Sequence, residues 1–526
     1  MKTTIKYALI TALFAGGTAC TNLDEHLPSQ LTYQLLPSNP GFGQATNANK
    51  PQPNDNMQGA FNQVLNGTAT NGGFFAVQEG GTDEAVITQK GGDWFDGGLY
   101  IKIHQHQLSS TTWAINDTWN QAYIGIYQCN NLLAGTNQIP GITPNQTAQL
   151  RFLRAYFHWR LMDVFGNVKI IQQVNVDAAQ TTRAAVYNFI ESELLAAIPD
   201  LSTSLQDYGR VNQAGAYALL ARLYLNAGVY TGTTQYQKAI NAADMVINSG
   251  LYTLAPNYKD IFSPDNCCNA GANMEMIWVA PFDQSTGQGA TWHEMTLHYP
   301  SQLTYNFTSQ PWNGFATLED FYNSYDSLHD SRWANNFLHG QQYAADGTTP
   351  LLDLAFTKGF PHGANLNYTP HINELYPNSW RSGGARFSKY SFKFGAQQND
   401  DNDFPLLRYA EVLLNKAEAL QRLSGTWTDD PTARALVNQV RARAGAGVTP
   451  FTSMLESDML AERGREMFIE GARRTDMIRF GAYINGTWWE HTTADGNSNH
   501  LIMAIPNEQI TASSSTPYPL TQNPGY

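Results

Sequence analysis

"QAGAYALLARLYLNAG" occupies residues 213–228, and its reading decides the fold. Ala, Leu and Tyr recur at three- and four-residue spacing, the period of a helix with one buried face. After a short linker, "YQKAINAADMVINSG" (236–250) continues in the same rhythm. Ala221 and Tyr224 on the first segment face Ala239, Ala243 and Val246 on the second as small and large knobs. Two helices packed closely as a hairpin are predicted.

The knobs match a tetratricopeptide pair, although the spacer is longer than that repeat's period allows. Further helices are predicted on the N-terminal side: "WNQAYIGIYQCNNLL" (119–133), "TAQLRFLRAYFHWRLMDVFG" (147–166) and "AAVYNFIESELLAAIP" (184–199). Gly166 suits a helix C-terminus. A second hairpin is predicted late in the chain, from "LRYAEVLLNKAEALQRL" (407–423) and "PTARALVNQVRARAG" (431–445), with Pro431 in a first turn. The fold class is therefore mostly α, with degenerate tetratricopeptide-type hairpins drawn from both ends of the chain. Residues 255–400 lose periodicity and fill with Asn, Gly, Tyr, Trp and His. Long irregular insertions are usually functional, so the ligand site is expected there and in the stretch 82–98.

Composition narrows the ligand. Charged residues are 14% of the chain and aromatics 12%, with 12 Trp and 26 Tyr. Such a surface suits neutral polar ligands, sugars above all. A net charge of −13 without a basic cluster argues against nucleic acid. The start, "MKTTIKYALITALFAGGTAC", has two lysines, an apolar run and small residues ending at Cys20. It reads as a secretory leader (1–19) with a lipoprotein-type site at Cys20, followed by a Pro-, Asn- and Gly-rich tether to residue 55. Cys129, Cys267 and Cys268 remain, an odd number for an exported chain.

Several chemistries are excluded or weakened. "HEMTLH" (293–298) places its second His at i+5, about 140° around a helix from the first, so the helical zinc-protease pattern fails. No G-x-S-x-G elbow or phosphate-binding glycine loop occurs in a suitable context. No cofactor or metal is expected. A glycosidase needs two carboxylates across a sugar, and "DDNDF" (400–404) and "TDE" (82–84) have no distinguishing spacing. "ERGREMFIEGARRTDMIRFG" (462–481) reads as a salt-bridged helix, with Glu470 paired to Arg473 or Arg474, in preference to an anion site. In "TDEAVITQKGGDWFDGG" (82–98), a glycine-bracketed loop presents Trp94 with Asp93 and Asp96 beside it, after a short strand. Thr82, Asp83 and Glu84 are expected to fix this loop to the helices.

Several motifs in order resemble the SusD/RagB outer-membrane nutrient-binding lipoproteins of Bacteroidetes. They are "RFLRAYFHWRLMDVFGNV" (151–168), "GRVNQAGAYALLARLYLNAGVYTG" (209–232), "DFPLLRYAEVLLNKAEAL" (403–420), the 462–481 stretch and the tail from 501 to 526. The resemblance implies four tetratricopeptide-like hairpins and no catalysis. It also implies surface display, with Asp24 and Glu25 similar to an acidic export signal. The partner implied is a SusC-like TonB-dependent barrel, and the ligand an oligosaccharide, starch or another glucan being the first candidates. The regions then run 1–19, 20–55, 56–254, 255–400 and 401–526. Trp94 and Trp312 resemble, by position, the family's aromatic binding residues, with Asn313 beside Trp312; Trp292, Tyr299 and Tyr305 are further candidates. The competing readings are a surface glycosidase and a SusD-like binder of peptides.

Overall fold

The 213–228 stretch forms the helix Gln213–Leu225, followed by a short helix Ala227–Thr231. Asn212 opens it by accepting the Gly215 N–H at 3.0 Å, which satisfies a first-turn donor. The next helix, Tyr236–Asn248, packs against it, and Ala221, Tyr224, Ala239, Ala243 and Val246 are all buried. Tyr409–Arg422 packs on both helices and on Pro431–Ala444, so hairpins from distant parts of the chain meet. One ion pair locks that meeting: Arg222 donates to both Glu411 oxygens at 2.7 and 2.6 Å.

The computed structural model describes residues 55–134, 142–264, 266–286, 289–353, 364–445, 447–492 and 495–526. The expected leader, Cys20, Asp24, Glu25 and the tether up to residue 54 lie outside the described residues. Among the described residues no helix is long and apolar enough to cross a membrane.

Trp113–Leu133, Pro144–Phe165 and Arg183–Ala197 extend the helical stack in sequence order. Pro144–Phe165 starts with a Thr143/Gln146 capping box and ends at Gly166, whose φ is 70°. From Phe152 to Phe165 every residue is buried, which places this helix centrally. Strands are short two-stranded pairs, and the fold is mostly helical, as its sequence pattern predicts.

The 462–481 stretch departs from the single helix expected. It forms Glu456–Met467 and Arg473–Arg479, separated by Ile469 and Gly471 with φ of 50° and 75°. The break frees backbone N–H groups, and the buried carboxyl groups of two glutamates take them. Glu79 accepts from Gly471 and Ala472 at 2.6 and 3.1 Å, and Glu84 from Ile469 at 3.3 Å. Glu470 consequently pairs with Arg408 and Lys389, away from Arg473 and Arg474. Arg408 also donates to Glu275 and Glu466, and Arg332 to Asp330, Glu462 and Glu466. The charges of this stretch thus form an internal network.

Glu79 is fully buried, and burial pushes its carboxyl up to about 8 against the opposing pull of the Gly471 N–H and Arg473. An unfolded carboxyl titrates near 4.3. Between these values the unfolded chain has lost a proton that the folded chain keeps, so stability falls as pH rises from about 4.5 to about 8. Glu79→Gln removes this penalty. Its thermal midpoint is expected to gain on the parent between pH 5 and pH 8; parallel pH curves would refute the assignment.

Candidate functional site

The site is assembled by backbone pairing between remote segments. Strand Ala85–Ile87 runs antiparallel to Phe315–Thr317, with Ala85 opposite Thr317 and Ile87 opposite Phe315. Before it, Thr82 donates to the Glu79 carbonyl, and Arg473 grips both Asp83 oxygens at 2.7 Å. Thr82, Asp83 and Glu84 therefore fasten the loop to the helices, as expected from the sequence. After the strand, Lys90 and Asp93 bond to each other across Gly91 and Gly92. Gly91 has φ of 69°, which such a two-residue turn needs. A third segment joins by Gly91 N–H to Pro377, Ser379 N–H to Gln89, and Gln89 N–H to Leu375.

Trp94 and Trp312 meet where these segments converge. Both are half-buried. The Trp94 indole N–H donates to the Trp312 carbonyl at 2.6 Å, and its ring lies edge-to-face on Tyr100 at 5.4 Å. It rests over Gly314, where a Cβ would come within 2.7 Å of Trp94 Cζ2. Trp312 is held from behind by its own N–H to the Glu294 carbonyl at 2.6 Å. Trp94, Asp96 and Asn313 all have left-handed φ, at 62°, 41° and 58°. Each costs on the order of 1–2 kcal/mol, and such strain concentrates where a side chain must be aimed.

A polar rim lies alongside. Asp93 accepts from the Tyr299 hydroxyl and from Arg381 Nη2 at 3.3 Å. Burial, then Asp93, raises the Tyr299 phenol, so it stays a donor. Beneath the rim, buried Lys90 donates to the Thr88 and Gly314 carbonyls, both at 3.2 Å. Burial, then Arg386, pulls the Lys90 ammonium well below its usual range. Arg386 is fully buried over the Tyr368 ring; it donates to Asn313 Oδ1 at 2.9 Å and to three backbone carbonyls, and burial brings it down to about 10. On the same loops Phe95 and Tyr376 are exposed, at 53% and 49%.

The expected residues therefore separate. Trp94, Asp93, Trp312 and Tyr299 come together at one half-open surface, with Asp96 exposed on the adjoining turn. Trp292 is a correction: it is 1% exposed and stacks on Tyr390 at 3.9 Å, inside the core. Asn313 is also corrected, because it is fully buried and its oxygen is taken by Arg386, so it shapes the loop without touching a ligand. Tyr305 packs with Phe307 and Phe392 in a separate apolar cluster. Arg381, Lys90 and Arg386 escaped sequence reasoning. Arg381 and Arg386 lie in and just after the Trp-Arg-Ser-Gly-Gly run at 380–384, inside the insertion, and Lys90 lies within the 82–98 stretch itself.

In "HEMTLH", the helix Trp292–Thr296 ends before His298, and both histidines are buried beside carboxylates: His293 lies 2.7 Å from Asp400, and His298 3.3 Å from Asp353. Among the described residues no cluster of His, Cys, Asp and Glu is arranged for a metal ion.

Comparison with known proteins gives the lineage. Residues 274–526 match the SusD family, and residues 54–225 match a family described as starch-binding and associating with the outer membrane. The chain belongs to the SusD/RagB family. One SusD relative, the starch-binding protein SusD of Bacteroides thetaiotaomicron, is 28% identical over 74% of this chain and 76% of its own. A SusD-superfamily structure from Parabacteroides distasonis superposes with a TM-score of 0.70 at 21% identity, covering 89% of this chain and 98% of that one. The surface glycan-binding protein A of Bacteroides thetaiotaomicron, solved with laminarihexaose, superposes at 0.68 and 20% identity, again covering 89% and 98%. These SusD-type structures share the helical scaffold described above.

Proposed function

We propose that the protein is a cell-surface glycan-binding lipoprotein. It captures oligosaccharide at the Trp94–Trp312 edge and hands it to a SusC-like TonB-dependent transporter, without cleaving it. The observation that carries this reading is the convergence of two partly buried tryptophans, Trp94 bonded to the Trp312 backbone, with an Asp93–Tyr299–Arg381 rim. Sugar rings present apolar C–H faces to aromatic planes, and their hydroxyls bond to carboxylate, phenol and guanidinium groups. Starch, bound by the related SusD, and laminarihexaose, held by the related surface glycan-binding protein A, make a neutral glucan the first ligand class to try. The same kinship, and the leader and Cys20 read in the sequence, support placement at the outer membrane.

Calorimetry of the full chain against starch, laminarin and other glycans, with a peptide panel alongside, tests this. Heat with at least one glucan and none with peptides is expected; flat traces with every glycan, or cleavage of a bound one, would sink it. A local variant adds resolution. Gly314→Ala places a methyl group against the Trp94 ring and the Met295 carbonyl. It is expected to tilt the indole and lower glycan affinity roughly tenfold, about 1.4 kcal/mol, with the fold retained. Unaltered affinity would show that the ring's pose does not matter.

A further inference from the structure

Cys267 and Cys268 are consecutive in the short helix Asn266–Cys268, and their sulfur atoms lie 2.8 Å apart. We propose that they close on each other as a vicinal disulfide, a labile redox-modified site at the protein surface. The backbone around the pair is held in place from both sides. Asn266 donates to the Ile261 and Asp403 carbonyls, both at 2.8 Å, and accepts the Asp403 N–H at 3.0 Å. Asn273 donates to the Cys267 carbonyl at 2.8 Å, and Asn269 caps the following turn. The sulfurs are thus brought together by a corner that does not depend on them.

Access favours one order of events. Cys268 is exposed and Cys267 is buried. The exchange partner is a disulfide: that of a thiol–disulfide oxidoreductase in an oxidising compartment, or oxidised glutathione in solution. The Cys268 thiolate attacks one of its sulfurs and expels the other as a thiolate. Cys267, having lost its proton, then attacks the Cys268 sulfur of the mixed disulfide and expels the second thiolate. Two protein thiols lose two hydrogens in all, and the partner disulfide becomes two thiols. Cys129 stays out of this chemistry: it is fully buried in Trp113–Leu133, and burial raises its thiol.

The product is an eight-membered ring. Neighbouring Cα atoms sit about 3.8 Å apart across a trans peptide, short of the roughly 4.4–6.8 Å that disulfides usually span. The bond is therefore strained and opens with milder reductant than a structural disulfide. Tyr208 stands beside it, its hydroxyl on Asp403 Oδ2 at 2.6 Å and its phenol raised by burial, by Asp403 and by both cysteines. Closing the ring removes both thiols from that neighbourhood.

The test uses the purified full chain equilibrated with oxidised glutathione. It is denatured in alkylating reagent without reductant, digested and weighed. The peptide carrying residues 267 and 268 is expected unalkylated and lighter by two hydrogen atoms, while Cys129 is alkylated. Brief mild reduction before denaturation should make the peptide doubly alkylated without changing the circular dichroism. Cys267→Ser should stop the exchange at a Cys268–glutathione adduct. Two alkylated cysteines in the oxidised parent, a persistent glutathione adduct there, or an interchain dimer would each overturn the proposal.

Discussion

Arg408→Met should lower the stability of the folded chain by about 3–5 kcal/mol at neutral pH. Arg408 is completely buried and donates to Glu275, Glu466 and Glu470 at 2.6–2.9 Å. These come from two separate parts of the chain: the approach to strand Met276–Ala280, and the end of helix Glu456–Met467 with the turn after it. Glu466 is held far below the usual carboxylate range, despite burial, by Arg443, Arg408 and Arg332. Removing one cation leaves carboxylates that cannot be rehydrated. Breaking a buried ion network in this way costs about 3–5 kcal/mol, a large share of the roughly 5–15 kcal/mol that holds a domain together. Methionine fills the volume, so the loss is one of charge and not of packing. The urea midpoint measures it, and Arg408→Met with Glu466→Gln should recover part of the loss. A single variant that melts with the parent would mean that water or Arg443 replaces Arg408 without penalty.

That network also shows where sequence reading stops. The hairpins were legible because helix periodicity is local: Ala221 and Tyr224 announce a buried face within one turn of each other. The charge-dense stretch is structural, as its pattern suggests, and the helical pair Glu462–Arg465 forms, but Glu470 has other partners than helical spacing gives it. An unbroken helix would pair Glu470 with Arg473 or Arg474, and the break at Ile469 sends it to Arg408 and Lys389 instead. The one local signal is Gly471, whose φ of 75° favours glycine; what holds the break, the carboxyl groups of Glu79 and Glu84 that receive the freed N–H groups, lies almost a whole chain away.

The site was legible as residue types but not as a surface. Trp94, Trp292 and Trp312 all stand in irregular, glycine- or asparagine-rich text. What separates them is a cover: Tyr390 stacks on Trp292, which is 1% exposed, whereas Trp94 and Trp312 pack against the core and stay only partly buried. That distinction depends on the pairing of 85–87 with 315–317 and on loop 376–381 folding back, both long-range events. The loop also brings Arg381, whose identity as a rim residue depends entirely on reaching Asp93.

Trp94→Ala is expected to weaken glycan binding by about 2 kcal/mol, roughly thirtyfold, while the chain stays folded. On the proposed function, the binding loss follows from removing the Trp94 ring, which would offer a sugar its apolar platform. The small effect on folding follows from half-burial and from the loop's independent anchorage: Arg473 on Asp83, and the backbone pairing to Pro377 and Leu375, remain in place. The left-handed φ of 62° at this position allows a sharper comparison. Alanine keeps that strain and glycine relieves it. Trp94→Gly should therefore be at least as stable as Trp94→Ala, yet bind glycan equally poorly. Trp94→Phe keeps an aromatic face but loses the N–H that fixes it to the Trp312 carbonyl, and should fall between parent and alanine. Trp312→Ala leaves that carbonyl in place, so Trp94 stays anchored and the loss measures the Trp312 ring alone. If both alanine variants bound glycan as the parent does but melted earlier, the two indoles would belong to the scaffold, and the ligand surface would have to be sought along Phe95, Tyr376 and Arg381.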